Sequence, residues 1–97
     1  MSEATSISWA LDRLNVPFPV VKKVRSGESS TVFEIASGDQ RWFLEIGRQL
    51  APECARLRWL RGRLATPAVV AFDPVGDREA LLMSAVPGLI WRSWRNG

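Results

Sequence analysis

Two glutamates stand where the surrounding residues favour burial. In the segment RWFLEI (41–46) apolar side chains alternate, and Glu45 shares one side of the predicted strand with Phe43. Glu53 lies near the start of a predicted helix, on the same helical stripe as Leu57. A carboxylate in apolar surroundings needs a cation or hydrogen-bond donors nearby. The two glutamates therefore mark a candidate site at which a cation is expected.

The small-residue segment RSGESS (25–30) offers a second kind of chemistry. A turn of Gly and Ser between two strands places backbone N–H groups and hydroxyls over phosphates, because no bulky side chain stands in the way. A plain hairpin turn has the same composition. Taken alone, the segment leaves both interpretations open.

The composition excludes several other kinds of site. The chain has 97 residues, enough for one domain, and its 46% hydrophobic and 24% charged residues are typical of globular proteins. It contains no histidine, which removes histidine acid–base chemistry and every Ser-His triad. Its single cysteine, Cys54, allows no internal disulfide, and without histidine a zinc site is not expected.

Charge and hydropathy indicate which partners to expect. The net charge is +3, and 11 of the 13 basic residues are arginine, but no basic stretch with interleaved aromatic residues points to nucleic acid. No apolar run reaches the roughly 18–20 residues that span a bilayer. The acidic start MSEATSISWALDRL lacks the pattern of a secretory signal. We expect a cytoplasmic protein with no membrane partner, and a basic nucleic-acid-binding protein stays open as a rival function that salt-dependent DNA binding would favour.

Seven elements are predicted to position these residues, in the order helix, three strands, helix, two strands. A short amphipathic helix covers Thr5–Asn15, and the prolines of VPFP (16–19) end it. Alternation and turn residues predict five strands: Val20–Arg25, Thr31–Ser37, Arg41–Ile46, Val69–Val75 and Glu79–Ala85. The predicted fold class is α+β, with a five-stranded antiparallel sheet.

The second helix, Pro52–Leu64, lies between the third and fourth strands. It begins with a proline at a position suited to the first helical turn. Its buried stripe is predicted to contain Glu53, Leu57, Leu60 and Leu64. Glu53 also lies in the first turn, where the helix dipole favours a carboxylate.

Four segments, taken in order, resemble the N-terminal lobe of the aminoglycoside phosphotransferase family, which has a protein-kinase-like fold. They are SGESSTVFEI as the nucleotide loop, RWFLEI as the lysine-bearing strand, PECARLRWL as the acid-bearing helix and LLMSAVPG as the hinge. The resemblance implies a nucleotide-binding lobe over residues 1–88. It also implies the family activity, ATP-dependent phosphorylation of an aminoglycoside or a similar small-molecule hydroxyl, with ATP or GTP and Mg²⁺ as cofactors.

The resemblance further implies which residues meet the nucleotide. Ser29 or Ser30 would contact a phosphate, and the loop, a residue shorter than usual, does not distinguish between them. Ser84 and Val86 would offer backbone groups to adenine, and Met83 would form the inner wall of the pocket. A buried strand would explain ALLMSAV (80–86) equally well.

One departure from the family pattern concerns the site most directly. By resemblance, Phe43 lies beside the nucleotide and Glu53 matches the acid that holds the lysine of the third strand. Glu45 stands in the position of that lysine. The carboxylates of Glu45 and Glu53 would repel each other, and Glu45 would also repel the phosphate oxygens of a nucleotide. We therefore expect weak nucleotide binding.

Two arrangements would relieve this repulsion. Glu45 would turn outward and be solvated, or a nearby cation, Arg48 or Lys22, would compensate its charge.

Phosphoryl transfer in this fold requires a catalytic aspartate and the Asn and Asp that hold Mg²⁺, all from a C-terminal lobe after Gly88. The 97 residues include no such segment, so we expect them to be inactive alone. The last nine, LIWRSWRNG (89–97), carry two Trp-Arg pairs that do not match the expected linker. A frameshift or early stop is the favoured interpretation. The alternative is a docking segment anchored by Trp91 and Trp94.

A rival function follows from that alternative. The chain would be a non-catalytic module that holds a protein partner, or a second copy of itself, through the lobe surface and the tryptophan tail.

Overall fold

The computed structural model describes residues 3–28, 30–60 and 67–85. Its elements are α1 (Glu3–Leu14), β1 (Val20–Ser26), β2 (Ser30–Ser37), β3 (Gln40–Gly47), α2 (Ala51–Leu60), β4 (Val69–Val75) and β5 (Arg78–Ser84). This order and the α+β class are the predicted ones. Ser29, Leu64, Val86 and the tail with Trp91 and Trp94, for which the sequence makes predictions, lie outside the described residues, as does the predicted boundary at residue 88.

The five strands form one antiparallel sheet in the order β1-β2-β3-β5-β4. The β2–β3 and β4–β5 hairpins both close through Gly-Asp turns, and their glycines, Gly38 and Gly76, have φ values of 58° and 68°. Glycine adopts these left-handed values without the steric cost of a Cβ atom. After β3 the chain forms α2 and returns through β4, so that β5 pairs with β3 and leaves β3 in the centre of the sheet.

Helix α1 covers one face of the sheet. Its apolar side chains Ile7, Trp9, Leu11 and Leu14 pack with Ala10 against a buried cluster from the strands: Phe33, Ile35, Leu44, Ile46, Val75, Ala80 and Leu82. Asp73 of β4 fixes the helix, because its Oδ2 accepts hydrogen bonds from Nε1 of Trp9 at 3.1 Å and from Arg13 at 2.8 Å. We call this the α1-side face.

Helix α2 packs against the opposite face, which we call the α2-side face. Its core contains Val32, Phe43, Leu50, Cys54, Leu57, Leu81 and Met83. Leu57 and Leu60 are buried as predicted. The third buried position of the helix is Cys54, three residues before Leu57, whereas Glu53 beside it is half-buried. The predicted stripe is therefore correct at Leu57 and Leu60, and at its start the buried position is Cys54 and not Glu53.

A carboxylate from β5 contacts the start of α2. The backbone N–H of Leu50 donates a hydrogen bond to Glu79 Oε1. A helix begins with N–H groups that have no partner within the helix, and its dipole favours negative charge there. Glu79 thus joins the start of α2 to the sheet. Among the residues that the structure describes, no helix is long and apolar enough to cross a membrane.

Candidate functional site

The strand register decides which side chains share the α2-side face. One row across the sheet consists of Arg25, Val32, Glu45, Leu81 and Phe72, and the next consists of Lys22, Glu34, Phe43, Met83 and Val69. Directly paired residues of antiparallel strands project from the same face. The structure therefore brings Phe43, Glu45 and Met83 together on the face against which α2, with Glu53 in its first turn, packs.

Glu45 is one of the most buried charged residues in the described chain. It lies on the central strand between Val32 and Leu81, and it is 1% exposed. The outward, solvated arrangement is therefore wrong, because strand alternation and the central position of β3 direct this side chain into the packed face. Of the two cations expected to compensate it, Arg48 forms an ion pair with Asp77 at 3.9 Å, and Lys22 pairs in register with Glu34.

Ser30 begins β2 opposite Gly47, at the end of the sheet nearest the β1–β2 loop. It is 3% exposed, and its Oγ has no hydrogen-bond partner among the described residues. A buried hydroxyl without a partner costs free energy unless something else supplies a hydrogen bond. A phosphate contact at Ser30 stays a prediction, as does the choice between Ser30 and Ser29.

The predicted adenine-binding residues lie at the opposite end of β3 and β5. Phe43 and Met83 are register partners and are both buried. The backbone N–H of Ser84 donates to the carbonyl of Ala68 at 2.9 Å, and its Oγ accepts from the Ala68 N–H at 3.2 Å. Ser84 therefore already uses its N–H, and only its carbonyl would be offered to a base.

One cation on this face was missed from the sequence. The β1–β2 register shifts between Lys23, opposite Phe33, and Arg25, opposite Val32, so that Val24 is an extra residue. Plain alternation would put Lys23 and Arg25 on one side. The β-bulge instead leaves Lys23 on the α1-side face and turns Arg25 to the α2-side face. Alternating hydrophobicity carries no signal for such a bulge.

Two cavities formed by described residues do not have these side chains in their linings. One of about 260 Å³ is lined on the α1-side by residues including Ser6, Thr31 and Arg78. The other borders the β2–β3 turn and Phe18. Neither includes Ser30, Phe43, Glu45 or Met83. In the described part of the chain no three Asp, Glu, Cys or His side chains gather closely enough to hold a metal ion.

No protein-family model matches this sequence, and no curated protein matches it either.

Proposed function

We propose that this chain forms the nucleotide-binding lobe of a protein similar to the aminoglycoside phosphotransferases, with a protein-kinase-like fold, and that it binds ATP or GTP weakly on the α2-side face. One observation carries the proposal. The register brings Phe43, Glu45 and Met83 together on the face that α2 covers, and α2 carries Glu53. This is the arrangement that the resemblance implies for the base, the phosphate-pairing position and its helical acid.

The side chains of this face favour binding of a nucleobase over binding of a phosphate group. Phe43 and Met83 supply apolar contact area for a flat ring. Glu45 places negative charge where the phosphates of a kinase-bound nucleotide lie, so binding relies on the base and is weak.

Mg²⁺, which the resemblance implies, is assigned no ligand among the described residues. Magnesium in phosphoryl-transfer sites is held by carboxylates and substrate phosphates. The described part of the chain gathers no group of three acidic or other ligating side chains. No step is assigned to a metal here.

A second candidate is a non-catalytic module that holds a protein partner. The observation that favours it is burial: Ser30, Phe43, Glu45 and Met83 are each at most 7% exposed. A nucleotide reaches these side chains only if the α2-side face opens. A module that acts through its outer surface would need no such opening.

Methyl NMR separates the two candidates. The sequence has two methionines, Met1 and Met83, and Met83 lies in the core of the α2-side face. In protein labelled at the methionine methyl groups, ATP or GTP should shift the Met83 signal in a saturable way and leave Met1 unchanged. The variant Met83→Leu assigns the signal. An unchanged Met83 methyl at millimolar nucleotide would contradict the nucleotide-binding proposal and favour the interaction module.

A further inference from the structure

We propose that Arg25, on the edge strand β1, supplies the phosphate-binding cation that β3 lacks. This inference rests on the proposed function and deepens it, because it names the residue that holds the nucleotide's phosphates. The phosphates would lie toward β1 and the β1–β2 loop, away from the buried carboxylate of Glu45.

The bulge in β1 is the first observation that supports this assignment. Lys22 pairs with Glu34 and Arg25 pairs with Val32, so both basic residues project from the α2-side face. A regular strand would present residues 22, 24 and 26 there, and only one of those is basic. Bulges commonly redirect a side chain beside a functional site.

The position of the guanidinium is the second observation. A methyl group placed on Gly27 would lie 3.6 Å from Nη2 of Arg25 and 3.5 Å from the carbonyl oxygen of Ser30. The Gly27 N–H donates to that carbonyl at 2.9 Å. Arg25 therefore reaches the loop end of the sheet. Ser30, whose buried Oγ has no hydrogen-bond partner among the described residues, lies at the same end.

Electrostatics favour this location over the β3 position. Arg25 and Glu45 are separated by β2, which places their backbones about 10 Å apart, two strand spacings. A phosphate at Arg25 would meet a positive charge, whereas a phosphate at the β3 position would meet the carboxylate of Glu45. Glu34 on the same face already forms an ion pair with Arg41 at 3.2 Å. A guanidinium also binds phosphate oxygens in pairs.

Calorimetric titration of the full chain with ATP, ADP and adenosine tests the assignment. Arg25→Gln should weaken ATP binding by about tenfold, the loss expected for one charge-assisted contact, and should leave adenosine binding unchanged. Arg25→Lys should recover part of the loss. Arg58→Gln is the matched control, since it removes the same charge from an exposed position of α2 and should bind ATP like the parent.

The outcomes separate this inference from the proposed function. If the parent binds neither ATP nor adenosine, both are overturned. If ATP binds the parent and Arg25→Gln equally well, the assignment of Arg25 is overturned and the proposed function stands. Equal weakening of ATP and adenosine binding would also overturn it, because Arg25 would then act on the fold and not on phosphate. Circular dichroism melts of each variant establish that it is folded.

Discussion

At the scale of single residues, Asp73 joins parts of the chain that are distant in sequence. Its Oδ2 accepts from both Trp9 and Arg13, and the Arg13 guanidinium lies 5.6 Å from the centre of the Trp9 ring. Both partners belong to α1, while Asp73 belongs to β4. One carboxylate therefore fixes the position of the helix over the α1-side face.

Removing that carboxylate should loosen α1. Asp73→Ala loses a hydrogen bond to an indole and a partly exposed ion pair, so the free energy of unfolding should fall by about 1–2 kcal/mol. Urea denaturation measures the loss. Asp12→Ala is the control, since Asp12 is exposed on the same helix and should change stability by less than about 0.5 kcal/mol. Equal stability of the two variants would mean that Asp73 does not hold the helix.

The residues of the candidate site show where sequence reasoning succeeds and where it ends. Alternation along β3 places Glu45 and Phe43 on one face, as predicted, because a strand in a packed sheet has a fixed period of two. Alternation alone does not decide whether Glu45 is solvated or buried, since that depends on the elements packed over it. Arg25 was missed for a different reason. One extra residue in β1 reverses the face of the sheet from which Arg25 projects. The alternation of apolar and polar residues along a strand does not reveal such a bulge.

At the scale of the elements, turn residues predict the hairpins well. SGDQ (37–40) and GDRE (76–79) have the residue types typical of tight turns, and their glycines have the positive φ that such turns require. The helix bounds were less predictable. α1 begins two residues before the predicted start. The buried stripe of α2 includes Cys54, which lies three residues before Leu57. Positions three and four residues before Leu57 both neighbour it on the helix surface, so the leucines alone do not decide between Cys54 and Glu53.

Alanine substitutions at two glycines should show the importance of the turn geometry. Gly38 has a φ of 58°, so Gly38→Ala should lower the free energy of unfolding by about 1–2 kcal/mol although a Cβ there meets no atom within 4 Å. Gly27 has no positive φ, and a Cβ there makes ordinary contacts at 3.5 Å and beyond. Gly27→Ala should therefore be close to neutral. A loss at Gly27 equal to that at Gly38 in chemical denaturation would contradict this account of the turn.

The packing of α2 on the sheet makes a further prediction. Leu60 is 8% exposed and continues the buried stripe of Leu57, so Leu60→Ala should cost on the order of 2–5 kcal/mol. Thermal melting gives the measurement, with the neighbouring exposed position Arg58→Ala as the control. A Leu60→Ala protein that melts within a degree or two of the parent would show that α2 does not pack here.

At the scale of the whole molecule, surface apolar residues favour association. Val20 and Val24 on the edge strand β1 are exposed, as are Phe18 before it and Trp59 on α2. An edge strand presents unpaired backbone groups, and exposed apolar patches promote contact between copies. We predict self-association at micromolar concentration. Deleting residues 89–97, which include Trp91 and Trp94, should lessen it without abolishing it. Sedimentation of both forms tests this, and a monomeric full chain would contradict it.

The central claim is that the α2-side face binds a nucleotide and that Glu45 weakens the binding. Calorimetric titration of ATP into the parent and into Glu45→Lys is its most direct test, with Asp39→Lys as a control that makes the same charge change in an exposed turn. Glu45→Gln, which removes the charge and keeps the shape, covers the case in which a buried lysine prevents folding. We predict that Glu45→Lys binds ATP more tightly by roughly 1–3 kcal/mol, Glu45→Gln by less, and Asp39→Lys like the parent. Unchanged or weaker ATP binding in both folded Glu45 variants would contradict the claim.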